Sequence, residues 1–170
     1  MESKSPGRFG RAALGERLGG FIYGTIVVMS VIIAGARAFP DEPGRIAAVV
    51  AVTMVVFWAA HVYAYALAHS VGSDEHLTLA EVRRIARSEA SILEAAVPPI
   101  AALLAGAIGL FDEDTAVWLA VVFGLIVLAT QGFLFARVER LSALATMLVV
   151  ALNLGLGIVL IGLKLFVSHH

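Results

Sequence analysis

Residues Ile46–Leu67 read IAAVVAVTMVVFWAAHVYAYAL, with no Asp, Glu, Lys or Arg among them. About 20 apolar helical residues cross the hydrocarbon core of a bilayer, so this run names its own solvent. The chain on either side reads the same way. Leu18–Phe39, Ser91–Leu110, Thr115–Ala136 and Leu141–Val167 are also apolar runs of membrane length, and the second run extends to His69 at the interface. No alternating strand pattern competes with helix. The expectation is an all-α integral membrane protein, five transmembrane helices in one domain over residues 1–170. Composition agrees: the chain is 60% hydrophobic and 15% charged, where a soluble domain carries about 25% charged residues.

The connecting segments are short. Residues 1–16 read as a polar tail and Pro40-Asp41-Glu42-Pro43-Gly44 as a tight turn. A polar loop over 70–77 leads to Thr78 and Glu81, whose spacing is that of a capping box. A helix over 78–90 follows. Leu79, Val82, Ile85 and Ala86 share one of its faces, and Arg83, Arg84 and Arg87 occupy the rest. That pattern suits a helix lying on the membrane surface against anionic lipid. Phe111-Asp112-Glu113-Asp114 is an acidic turn, with Asp114 or Thr115 expected to cap the next span.

Lys and Arg set the expected orientation. With the N-terminus inside, Lys4, Arg8, Arg11, Arg17, Arg83, Arg84, Arg87, Arg137 and Arg140 face the cytoplasm, and Arg37, Arg45 and Lys164 face outward. The expectation is N-in and C-out, in a bacterial inner membrane, since the Ala, Gly, Val and Arg bias is that of high-GC bacterial usage.

One layer of polar side chains then stands out: Tyr23, His61, Tyr65, Glu94 and Gln131. At about 1.5 Å rise per residue, His61 lies roughly 7 Å and Glu94 roughly 10 Å inward of their helix midpoints. An ionisable group within a span is a functional hypothesis by default. His61 shares a helix face with Met54, Trp58, Tyr65 and His69, and the duller reading of that face is an aromatic belt at the headgroups. Glu94 precedes Pro98-Pro99, which have no N–H to give to the carbonyls of Glu94 and Ala95. A carboxylate beside freed carbonyls suits a cation or proton; its structural alternative is an ion pair with Arg87 or His61 at a simple kink. Glu89 reads as a solvated interfacial acid. Gly20 and Gly24, with Asn153, Gly155 and Gly162 on the last span, are expected to let helices pack closely, within the chain or in a homo-oligomer.

Several classes have no support in the sequence. There is no cysteine, which removes thiolate chemistry and disulfides. No catalytic or nucleotide-binding motif occurs, so no enzyme, cofactor or metal site is expected. A net charge of −1 carries no nucleic-acid signature. His169 and His170, at the C-terminus, are assigned no role.

The stretch Glu16–Thr25 with Phe57-Trp58-Ala59-Ala60-His61 resembles a family of small multi-span membrane proteins from high-GC bacteria, a likeness that implies architecture and no activity. Arg17, Phe21, Trp58 and His61 are also similar to the first two helices of potassium channels of the transmembrane-175 type. There Ile22-Tyr23 stands where that family has Ser-Asp. This two-helix resemblance implies ion permeation. The expected function is a small channel or transporter for a cation or proton; the alternative is a non-catalytic accessory or scaffold subunit.

Overall fold

In a computed structural model the described residues are 6–72 and 78–168, and they form seven helices and no strand. These are α1 (Pro6–Ala38), α2 (Pro43–Gly72), α3 (Leu79–Ser88), α4 (Ser91–Glu94), α5 (Val97–Ala107), α6 (Glu113–Val138) and α7 (Ala143–Ser168). Residues 1–5, 73–77 and His169–His170 lie outside the description, and with them most of the expected 70–77 loop.

Three helices are long and apolar enough to cross a membrane, over Arg17–Ala38, Pro43–Ala68 and Glu113–Val138. A fourth crossing exists if Leu79–Glu94 and Val97–Ala107, which meet at 49°, count as one bent element. The expectation of five spans is therefore corrected to three, or four with the bent pair. The proline break in the third of the expected spans accounts for the bent pair. At the expected proline break one helix ends at Glu94 and α5 restarts with Pro98 in its first turn, where a missing N–H costs nothing.

Within the expected polar tail, α1 is helical from Pro6 onward. Proline is preorganised for a first helical position, and Ala12-Ala13-Leu14 is good helix-forming sequence. Thr78 caps α3 as expected. Its side chain accepts from Glu81 N–H while the Glu81 carboxylate accepts from Thr78 N–H. The cap of α6 is Asp112, not Asp114 or Thr115. Asp112 is extended and its carboxylate accepts from both the N–H and the hydroxyl of Thr115, at 2.9 and 2.8 Å. These bonds hold the Asp112 carboxyl below the usual carboxylate range.

Helix α6 packs against α1, α5 and α7, and α1 also lies against α2 and α4. The shared core includes Met29 and Ile32 of α1, Ile46, Val50 and Met54 of α2, Leu103 of α5, and Val117, Val121 and Leu128 of α6. Gly20 and Gly24 bring α1 onto α4: a Cβ on Gly24 would stand 2.9 Å from the Ile92 carbonyl oxygen, and one on Gly20 would meet Ser91 Oγ. Gly155 and Gly162 face open space, and the close approaches are instead Gly157 against Leu125 and Leu128, and Gly132 against Asn153. Along α7 the residue two beyond Gly155 is the one turned to α6. Asn153 is buried, and its Nδ2 donates to the Leu128 carbonyl at 3.4 Å.

Candidate functional site

Tyr23 of α1 and His61 of α2 meet where these two helices run antiparallel. Their rings lie 5.5 Å apart, and Phe57 packs against both, at 5.0 Å from Tyr23 and 4.6 Å from His61. Phe57 and His61 are one turn apart, so the backbone itself stacks them. His61 Nδ1 lies 3.2 Å from the Phe57 carbonyl oxygen. A carbonyl only accepts, so this bond exists when Nδ1 carries the proton. In the neutral imidazole Nε2 is then the basic nitrogen, the one that gains or gives a proton.

A cavity of about 380 Å³ opens beside this ring set. Tyr23, His61 and Tyr65 line it, together with Gly19, Gly20, Glu89 and Ile92. Glycines on the α1 wall leave room that larger side chains would occupy. Three of the five residues of the expected polar layer thus share one space. Glu89, expected to be a solvated acid, is half-buried and is one of the residues lining the cavity. Its position is set by Ser91 and Ile92, which the small Gly20 and Gly24 draw against α1.

Glu94 goes elsewhere. Its Oε2 accepts from Arg17 Nη2 at 2.7 Å, with both side chains about half exposed. Neither Arg87 nor His61 is its ion-pair partner. The pair joins the start of the first apolar stretch to the last residue before the break at Ala95–Ala96. Pro98 and Pro99 follow within one turn, so the Glu94 and Ala95 carbonyls have no helical donor. The Arg17 guanidinium thus reaches the Glu94 carboxylate, while Ala95 packs against Gly24.

Gln131 does not line the His61 cavity. It is 8% exposed within the bundle, and its Oε1 is buried without a hydrogen bond, as is Ser91 Oγ. Gly124 of α6 faces Thr25 and Met29 of α1. Two turns further along α6 is about 10 Å toward the Arg17 end of antiparallel α1. Gln131 thus sits level with the part of α1 between Arg17 and Tyr23. A buried amide oxygen without a donor is ready to accept from water or to meet a cation.

Trp58 ties the surface helix to the site. Its Nε1–H donates to the Ala86 carbonyl of α3 at 3.0 Å. Among the described residues, no three His, Asp or Glu side chains converge as a metal site would need. Comparison with protein-family models, with curated proteins and with solved structures finds no match to this chain.

Proposed function

We propose that this chain is a small multi-pass membrane channel or transporter that moves a proton or a cation past His61. The observation that carries the reading is the single cavity shared by an imidazole, two phenols and a carboxylate: His61, Tyr23, Tyr65 and Glu89. Hydrogen-bonding groups gathered around an imidazole are what a proton relay needs. The scarcity of convergent acidic ligands suits a proton or a monovalent cation better than a tightly coordinated divalent ion. Glu94, once released by Arg17, supplies a second carboxylate on the Arg17 side of His61.

The membrane placement belongs to the same proposal. The start of α1, the end of α6 and helix α3 lie at one end of the bundle, which gathers Arg17, Arg83, Arg84, Arg87, Arg137 and Arg140 there. Arg37 and Arg45 lie at the other end. By the positive-inside rule the arginine-rich end is cytoplasmic, with the protein in a bacterial inner membrane. Three or four crossings make a thin bundle, so the conducting form is a homo-oligomer. A second reading, an accessory or scaffold subunit, is favoured by the 2.7 Å Arg17–Glu94 pair, which neutralises the carboxylate beside the proline break.

Purified protein in liposomes, with flux of H⁺, K⁺ and Na⁺ followed under an imposed potential, tests the proposal. Flux above empty vesicles, lost in His61→Ala and reduced in Glu89→Gln, is the expected result. Flux no greater than that of empty vesicles overturns it. So does a flux that neither substitution changes.

A further inference from the structure

Helix α3 is not used by the cavity, yet its surface is the most sharply divided in the chain. At 3.6 residues per turn, Arg83, Arg84 and Arg87 fall within about 100° of arc, and Leu79 borders them. Val82 and Ala86 continue the Leu79 flank and are half-buried where α3 meets α2. The Trp58–Ala86 hydrogen bond fixes that side, and the Thr78–Glu81 capping box fixes the first turn. The helix therefore cannot roll to hide its arginines.

All three arginines are exposed. The two ion pairs among the described residues, Arg17–Glu94 and Arg45–Glu42, leave them out. Leu79 is 89% exposed. A groove of about 760 Å³ runs along this face, lined by Leu79, Ala80, Val82, Ala86 and the three arginines. Its floor is apolar and its rim carries three guanidiniums.

We propose that this groove binds an anionic phospholipid of the surrounding bilayer, its phosphate on the arginines and the start of its acyl chains over Leu79 and Val82. Guanidinium forks match phosphate oxygens in pairs, which ammonium groups do not. The apolar floor selects a lipid over a free anion, and the charge selects an anionic lipid over a zwitterionic one. A lipid is also the molecule in contact with any helix at this level of a membrane protein. Attraction of about 1 kcal/mol for each basic residue near an anionic surface corresponds to about fivefold each, or on the order of a hundredfold for three. This site is independent of ion movement at His61.

The test is lipid retention by the purified full chain in detergent, read by native mass spectrometry. Phosphatidylglycerol is titrated against phosphatidylcholine with the same acyl chains. Tenfold or greater preference for phosphatidylglycerol is expected, falling with salt and largely abolished in Arg83→Gln/Arg84→Gln/Arg87→Gln. The matching triple Lys variant keeps the charge and retains part of the preference. Arg45→Gln, at the other end of the bundle, leaves it unchanged. Circular dichroism of each variant verifies that it is folded, and should a glutamine triple variant not fold, the single substitutions carry the comparison.

Equal retention of the two lipids overturns the proposal. It is equally overturned if the glutamine variant keeps the preference or if Arg45→Gln loses it as fully. Displacement by inorganic phosphate at the lipid's concentration identifies a free-anion site instead. A protein partner that co-purifies with the wild type, and is lost with the arginines while lipid retention stays, identifies a protein-docking face.

Discussion

Replacing Gly24 by alanine adds one methyl group at the tightest backbone approach of α1 to α4. That methyl would stand 2.9 Å from the Ile92 carbonyl oxygen, 3.1 Å from Ile92 Cα and 3.2 Å from Ala95 Cβ. Ordinary carbon contacts begin near 3.5 Å, so α4 must retreat by roughly 0.5 Å. The obstacles are backbone atoms and a Cβ, and no rotamer change removes them. Overpacking of this kind costs about 1–3 kcal/mol. Alanine's better helix propensity returns up to about 1 kcal/mol. Gly19→Ala provides the comparison, because it gains the same propensity in the same helix and its Cβ meets nothing within 4 Å. The difference between the two variants isolates the contact. Gly20→Ala should fall between them, since its obstacle is the rotatable Ser91 hydroxyl. Unfolding by sodium dodecyl sulfate in mixed micelles, followed by tryptophan fluorescence, measures all three. Trp58 reports directly, through its bond to α3. Gly24→Ala and Gly19→Ala unfolding at the same denaturant fraction would refute the account of α1–α4 packing, and with it the reason Glu89 reaches the His61 cavity.

Two further predictions concern the helix ends. The α5 and α6 termini share one motif: Leu110 N–H reaches the Ala105 carbonyl and Leu141 N–H the Ala136 carbonyl, with Gly109 (φ 80°) and Arg140 (φ 52°) as the left-handed residues. Gly109→Ala should destabilise by about 1 kcal/mol and Arg140→Gly should stabilise by a similar amount; equal shifts of one sign in the same micelle titration would contradict this. The second concerns pH. The Thr115 bonds lower the folded-state pKa of Asp112, so the cap contributes stability that is complete above the ordinary aspartate range. That contribution is lost as pH falls through the lower folded value. Melting in detergent from pH 7 to pH 3 should show a wild-type loss confined to the acid end and smaller in Asp112→Asn, and identical acid profiles for the two would remove Asp112 as the cause.

What the sequence reveals here divides by the range of the interaction involved. The capping box of Thr78 and Glu81 is read across three residues, and the two prolines act on carbonyls one turn away; both effects are local and visible without coordinates. The cap at Asp112 was misplaced because three adjacent acids offer similar chemistry, and only the extended backbone of Asp112 distinguishes it. The polar layer was legible as depth, since helical rise converts residue number into distance. Depth does not give azimuth, however, and azimuth decides which neighbours meet. Tyr23, His61 and Tyr65 meet because they lie on the facing sides of an antiparallel pair joined by a short turn. Glu94 and Arg17 are 77 positions apart, and their pairing depends on the 49° bend and on two glycines that admit α4. The same limit explains α7, where Gly157 and not Gly155 faces α6: a rotation of two residues about the helix axis turns one small side chain from its neighbour to open space. The site is thus assembled by close packing at Gly20 and Gly24, and the perturbation that most directly tests the functional geometry is a single methyl group placed there.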